Sequence, residues 1–325
     1  MISSFSKNLG PIKIQTIKES IKCQIHNIGD EQTFSEFTGI QKLKKNELSF
    51  LTDAQFSEQK VYPDGTLICS HRTSKKLKEY CSLIEVDDVN NAVAVLSNMF
   101  YRSLNRDEIL LLDEPKIDKS SDIAKSTIIE RGSIIGRNVK INDGCVIGYN
   151  CIIGDNVSVG SNTVITNSII AENVKIGRNV SIGQGGFGFS INKKTNINIY
   201  HSGRVILQMG VKIGSNCTID RGSFGDTIIG ENSFFDNLCH VAHNVVVGNN
   251  CIFAAMSGIA GSAKIGDNVM AGGQTGIAGH LNIGNNVKIA AQSGVLKDIG
   301  DNSSVMGHPA INKFVYLKKF KINHA

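Results

Sequence analysis

The sequence of 325 residues lacks any apolar run approaching the ~18 residues that a membrane span requires. Its opening segment, MISSFSKNLGPIKIQTIKES, holds no apolar core of signal-peptide length. Both absences lead to the expectation of a cytoplasmic protein with no integral membrane segment. Three of the eight cysteines, Cys23, Cys69 and Cys81, show no CxxC or other metal-ligand spacing, so no metal is expected from them. A basic stripe is also missing. Lys and Arg are scattered, the net charge is only +5, and a nucleic-acid partner gains no support.

What the sequence does have is a period of six. Every sixth residue from Ile229 is apolar, through Phe235, Val241, Val247, Phe253, Ile259 and Ile265 to Val295. An earlier block runs from Ile135 to Ile165 and resumes one residue short at Ile170. An apolar residue at this period, followed by Gly and then Asn, predicts a left-handed parallel β-helix: three hexads form a triangular coil, and Gly or Asn takes the left-handed corner. The slot two residues before each apolar position should also point inward. It holds small residues, among them Cys145, Cys151, Cys217, Cys239 and Cys251, which are therefore read as reduced packing cysteines.

The fold class expected is mainly β, with a small α/β domain before the β-helix and a short helix after it. Residues 1–104 lack the period and form the α/β unit. ELSFLTD and GTLICSH read as strands, and SLIEVDDVNNAVAVLSNMFY as a strand entering a helix capped by Asn90 or Asn91, with Val93, Leu96 and Phe100 on one face. Residues 105–120 read as a linker, 121–308 as the β-helix with an inserted loop at 184–210, and 309–325 as the basic carboxy-terminal helix.

Three histidines interrupt the repeat. His240 falls in an ordinary outward slot and reads first as a surface residue. His280 falls in a corner slot elsewhere filled by Asn, where a left-handed backbone alone would explain it. His243 and His280 project from the same side of the prism two coils apart, roughly 10 Å along its axis. His243 lies in DNLCHVAHN, seven residues after Asp236, which would orient an imidazole acting as general base.

IDRGSFGDTIIGENSFFDNLCHVAHNVVVGNN, the preceding GGFGF and HSGRV, and the later GIAGHLNIG, AAQSGV and MGHPA closely resemble the UDP-3-O-acylglucosamine N-acyltransferase family of lipid A synthesis. The resemblance implies transfer of an (R)-3-hydroxyacyl group from the phosphopantetheine thioester of acyl carrier protein to the 2-amino group of UDP-3-O-acylglucosamine, with no other cofactor. It implies a homotrimer with sites between neighbouring subunits. His243 would be the base, Asp236 and Asn237 would share its site, His280 would be the second functional histidine, and the Gly261 N–H would stabilise the oxyanion. ELSFLTDAQF looks like the family's uridine-binding segment, with Phe50, Asp53 and Phe56 where the family carries Phe, Asn and Tyr. Tyr200 and His201 stand where it carries Pro-Gln.

Three other readings use the same repeat: an acyltransferase for another sugar nucleotide, a trimeric β-helix zinc enzyme sharing histidines between subunits, and a non-catalytic scaffold. An imidazole base and a backbone oxyanion donor suffice for amine attack on a thioester, without a metal or a nucleophilic side chain.

Overall fold

The computed structural model describes residues 5–56, 64–191 and 195–307. The expected carboxy-terminal helix at 309–325 lies outside these residues. Within them, short strands stack into three parallel sheets, the faces of a triangular prism. Face one begins at Lys116–Ile117, face two at Asp122–Ile123 and face three at Ile128–Ile129. Each strand pairs in parallel with the equivalent strand of the next coil, in most coils 18 residues on, as Ile134 pairs with Ile152. The β-helix therefore opens at Lys116, inside the segment read as a linker, where Arg106–Leu110 forms a short helix with a capping box.

The inward register follows the period. Ile135, Ile141, Ile147, Ile153 and Val159 are buried in a single column of packed side chains, and so are Phe235, Val241, Val247, Phe253 and Ile259 further along. Cys145, Cys151, Cys217, Cys239 and Cys251 are free and buried among them, and burial pushes the Cys151 thiol up to about 12, which makes it a packing group. Corners are turned in the left-handed region, mostly by Asn such as Asn138, Asn156 and Asn250. The one-residue slip appears as Ile153 facing Ile170 across a shortened coil.

Two loops leave the prism. The first follows Ser181–Gln184 and carries a hairpin of Phe189–Ser190 and Ile197–Asn198. The coil resumes at Val205–Leu207, paired with Ser168–Ile170, so the insertion ends earlier than 210. The second, from Arg221 to Asp226, was not expected and lengthens the spacing of paired strands there to 22 residues.

The amino-terminal domain is a five-stranded sheet ordered Cys23–His26, Ser82–Val86, Thr66–Ser70, Glu47–Leu51, Glu36–Phe37, parallel except for its first strand. The helix Val89–Phe100 buries Val93, Leu96 and Phe100 as the pattern predicts, but its cap is Asp88, which accepts from the Asn91 N–H. Phe224, at the tip of the second loop, inserts between Phe37 and Phe50 with ring centroids 4.6 and 5.5 Å away. The domain thus shares a core with the prism. Hydrogen bonds add to the joint: Tyr149 donates to the Phe5 carbonyl, while Tyr200 and the buried Arg221 both donate to Ser6. No helix among the described residues is long and apolar enough to cross a membrane.

Inside the prism, Phe235 and Phe253 stack nearly parallel at 4.8 Å, with Phe253 fully buried. Truncating Phe253 to alanine leaves a cavity that stacked coils cannot close, and should cost ~3–5 kcal/mol. Urea unfolding of the two proteins measures this loss.

Candidate functional site

His243 stands on the edge where face three turns into face one, between His240–Val241 and Val246–Val247. Its Nδ1 lies 3.1 Å from Asn244 Oδ1, which also accepts from the Ser223 backbone N–H at 3.0 Å and the Ser223 hydroxyl at 2.7 Å. An atom that receives a backbone N–H is the amide oxygen and cannot donate. The hydrogen of His243 is therefore on Nδ1, and Nε2 keeps its lone pair. This is the tautomer a proton acceptor needs.

The ring lies over Gly261 of the next coil: a Cβ built there would come within 2.8 Å of Nε2, so only glycine admits this placement. The column continues with Gly279, and this explains a second property. On the neighbouring edge, between faces one and two, the equivalent backbone N–H groups are capped by a side chain from the following coil, as Asn249 N–H is by Asp267 and Asp267 N–H by Asn285. The residue beneath Gly261 in that sense is Gly279, which has no side chain to offer. Among the described residues the Gly261 N–H donates to no protein acceptor. A lone pair and an unused backbone donor thus sit together on one edge.

Asp236 does not orient His243 within the chain. It lies on the preceding edge, between faces two and three, where its Oδ1 accepts from the Asn237 backbone and side chain. Asn237 Oδ1 in turn caps the Ser215 N–H. Asn244 takes the orienting role instead. His280 occupies the left-handed slot expected of it, with φ +62, on the His243 edge and two coils further on, its N–H donating to the Gly261 carbonyl. His240 is exposed, bonded through Nδ1 to the Thr218 hydroxyl at 2.7 Å and 3.7 Å from Asp220. Asp220, buried and raised by that burial, also accepts from Gln184. Nothing in the sequence marks Asp220, Gln184 or Asn244 as site residues, and His201 is marked there only as a departure from the family's Pro-Gln. No group of three or more His, Cys, Asp or Glu among the described residues could hold a metal ion.

The expected uridine-binding segment is differently engaged. Phe50 is half-buried, edge-on to Phe37 and Phe224, so one ring serves the domain joint. Asp53 Oδ1 accepts from Ser70 at 2.5 Å and Thr73 at 2.7 Å, tying it to the start of the helix His71–Leu77 and holding its carboxyl below the usual range. Phe56 lies under Lys76, 5.1 Å from the ring centroid. Alongside, buried Glu85 bridges His71 at 2.5 Å and His26 at 3.0 Å.

Family comparison agrees with the repeat. The family described as bacterial transferase hexapeptide (six repeats) matches residues 226–261, and the GMPPB C-terminal domain matches 111–221. A UDP-3-O-acylglucosamine N-acyltransferase of Caulobacter sp. (strain K31) is 43% identical over 62 residues, 19% of this chain and 18% of that protein. One of the same name from Methylorubrum extorquens (strain PA1) is 40% identical over 63 residues, again 19% and 18%. The matched stretch is thus under a fifth of these relatives' length. Among solved structures, the UDP-N-acetylglucosamine acyltransferase from Campylobacter jejuni is 25% identical with a TM-score of 0.52, covering 61% of this chain and 77% of that one. Fold and repeats make this chain a hexapeptide-repeat β-helix protein. Its particular resemblance is to the UDP-3-O-acylglucosamine N-acyltransferases, now carried by named relatives as well as by motifs.

The Ser74 hydroxyl, then His71 and His26, hold the Glu85 carboxyl down to about 2. Its unfolded value is near 4.3, so the folded group is depressed, and its stabilisation is complete above that value and disappears as pH falls toward about 2. Glu85→Gln should therefore flatten the fall in melting temperature across this acid window, as calorimetry between neutral pH and pH ~2 would show.

Proposed function

We propose that the protein is an acyltransferase that moves an (R)-3-hydroxyacyl group from acyl carrier protein to the 2-amino group of UDP-3-O-acylglucosamine. The observation that carries this reading is the pairing of the His243 Nε2 lone pair with the unused Gly261 N–H. As the amine attacks the thioester carbonyl, a C–N bond forms, the amine loses a proton to Nε2, and negative charge grows on the carbonyl oxygen. The Gly261 N–H meets that charge. When the C–S bond breaks, the proton passes from the imidazolium to the leaving thiolate. The matched relatives bear the name of this reaction.

Mass spectrometry on a mixture of the protein, 3-hydroxyacyl carrier protein and UDP-3-O-acylglucosamine tests the reading by one added hydroxyacyl group on the sugar. His243→Ala should lower turnover ~10²–10⁴-fold, the usual worth of a general base, with the fold intact because the side chain stands outside the core. Turnover within a few-fold of wild type would remove His243 from the chemistry. The engagement of Asp53 by Ser70 and Thr73 favours a second reading, acyl transfer to a different sugar nucleotide. Product with another UDP-sugar but none with UDP-3-O-acylglucosamine would select it.

The active unit we propose is a homotrimer. Leu238 and Met256 take left-handed corners with φ of +62 and +63, a conformation that bulky side chains avoid, and both project apolar surface outward. Ile252 and Met270 extend that surface along face two. A neighbouring subunit would cover it, and would bring an Asp236–Asn237 edge toward a His243 edge, which a single prism holds apart. Met256→Asn should relax the corner while weakening association. Sedimentation should show wild-type trimers and a variant that dissociates at higher concentration, whereas an active wild-type monomer would overturn the assembly.

A further inference from the structure

His201 lies in the inserted loop, yet it is only 5% exposed. Its Nδ1 is 2.9 Å from the Ile199 carbonyl, which can only accept, so the hydrogen is on Nδ1 and Nε2 carries a lone pair. That Nε2 is buried and has no partner. A buried acceptor left unpaired is a standing cost to folding, and so the ring is kept here against a penalty. The contact kept in exchange is with His243: the two imidazoles meet edge to face, centroids 5.1 Å apart and planes at 74°.

His243 needs a second support. Its bond to Asn244, at 3.1 Å, restrains rotation about the Cβ–Cγ bond only loosely, because the torsional wells there are broad. Gly261 bounds the ring on one side, and the loop bounds it on another. A Cβ on Gly186 would fall 2.8 Å from His243 Cβ and 3.0 Å from His201 Nε2, so the loop backbone closes directly onto both rings.

We propose that His201 is a positioning residue for His243, locking the plane of that imidazole between its own ring and the Gly261 backbone so that Nε2 stays beside the Gly261 N–H. The assignment rests on His243 as the base. Charge is consistent with the role. Burial first, then the neighbouring His243 and Arg221, push His201 down to about 4, so it is uncharged at neutral pH and does not oppose the imidazolium that His243 becomes. The other ionisable groups nearby are Asp220, in the preceding coil on face three, and Arg221 at the start of the second loop.

The test is nitrogen-15 NMR of the histidine rings in the full-length protein, with kinetics alongside. His201→Gln keeps an N–H for the Ile199 carbonyl but removes the ring. Gly186→Ala keeps His201 and wedges a methyl group between the rings, so it decides the matter if the glutamine variant does not fold. In wild type, His243 should show the shift pair of a single Nδ1–H tautomer. In either variant the two nitrogen shifts should converge as the ring samples both tautomers, and kcat should fall ~10–100-fold with KM unchanged, the effect of a displaced base. His243 shifts and a pH profile that superpose on wild type in a folded variant would overturn the proposal. Should His243→Ala retain full turnover, the reading of His243 as a base fails separately, while the shift measurement still reports whether His201 holds the ring.

Discussion

The backbone hydrogen bond between one coil and the next is the constraint on which this molecule depends. Because each strand of the prism is only two to four residues long, no strand holds its own register; the partner above and the partner below do. Parallel pairing in register then forces like positions to stack. An inward Ile must meet an inward Ile, Val or Phe, a corner Asn another left-handed corner, and an outward residue its outward equivalent. The core is a one-dimensional column in which each layer depends on its two neighbours.

The candidate site is the same stacking rule with side chains withdrawn. Along the edge between faces one and two an Asp or Asn reaches up to cap the N–H of the coil before it, which uses up the donors and tightens that edge. The column His243, Gly261, Gly279 forgoes those caps. Stability is given up locally, and in return one imidazole gains room to lie flat against backbone and one N–H remains open. The two loops that leave the prism close over this edge from the other side, through Gly186 and His201 and through Ser223.

The repeat made the prism legible before any coordinate, because inward burial at a fixed period leaves a direct trace in residue type. His243 and His280 were legible as one edge for the same reason, since 18-residue spacing maps onto a stack, whereas Gly261 entered only through the family resemblance. Asp236 stands apart from His243 within one chain because proximity in a sequence of hexads is misleading: a step of about six residues moves to the next edge of the prism. Asn244 hid in plain view, as its neighbours in other corners are also Asn and only its partners distinguish it. Outside the period, inference weakened. The Arg221–Asp226 loop contains no hexad to break, Val205–Leu207 resumes the coil without the Gly-Asn marker, and His201 belongs to a loop whose packing nothing periodic reports. Asp53 shows the remaining limit: a residue type suited to a base edge is equally suited to holding the first turn of a helix.

The joint between the two domains also bears on the order in which the chain is made. Ser6 and Phe5 meet Tyr149, Tyr200 and Arg221, the last of them 215 residues away. At ~5–20 residues per second, the amino-terminal segment would wait ~10–40 s on the ribosome before its last partner emerged. Phe37 and Phe50 wait nearly as long for Phe224. The coils, by contrast, need only the next 18 residues to close each layer. Synthesis therefore delivers a prism that grows steadily beside a domain whose aromatic face stays uncovered, and it is the prism that must be finished past its midpoint before that face is put away.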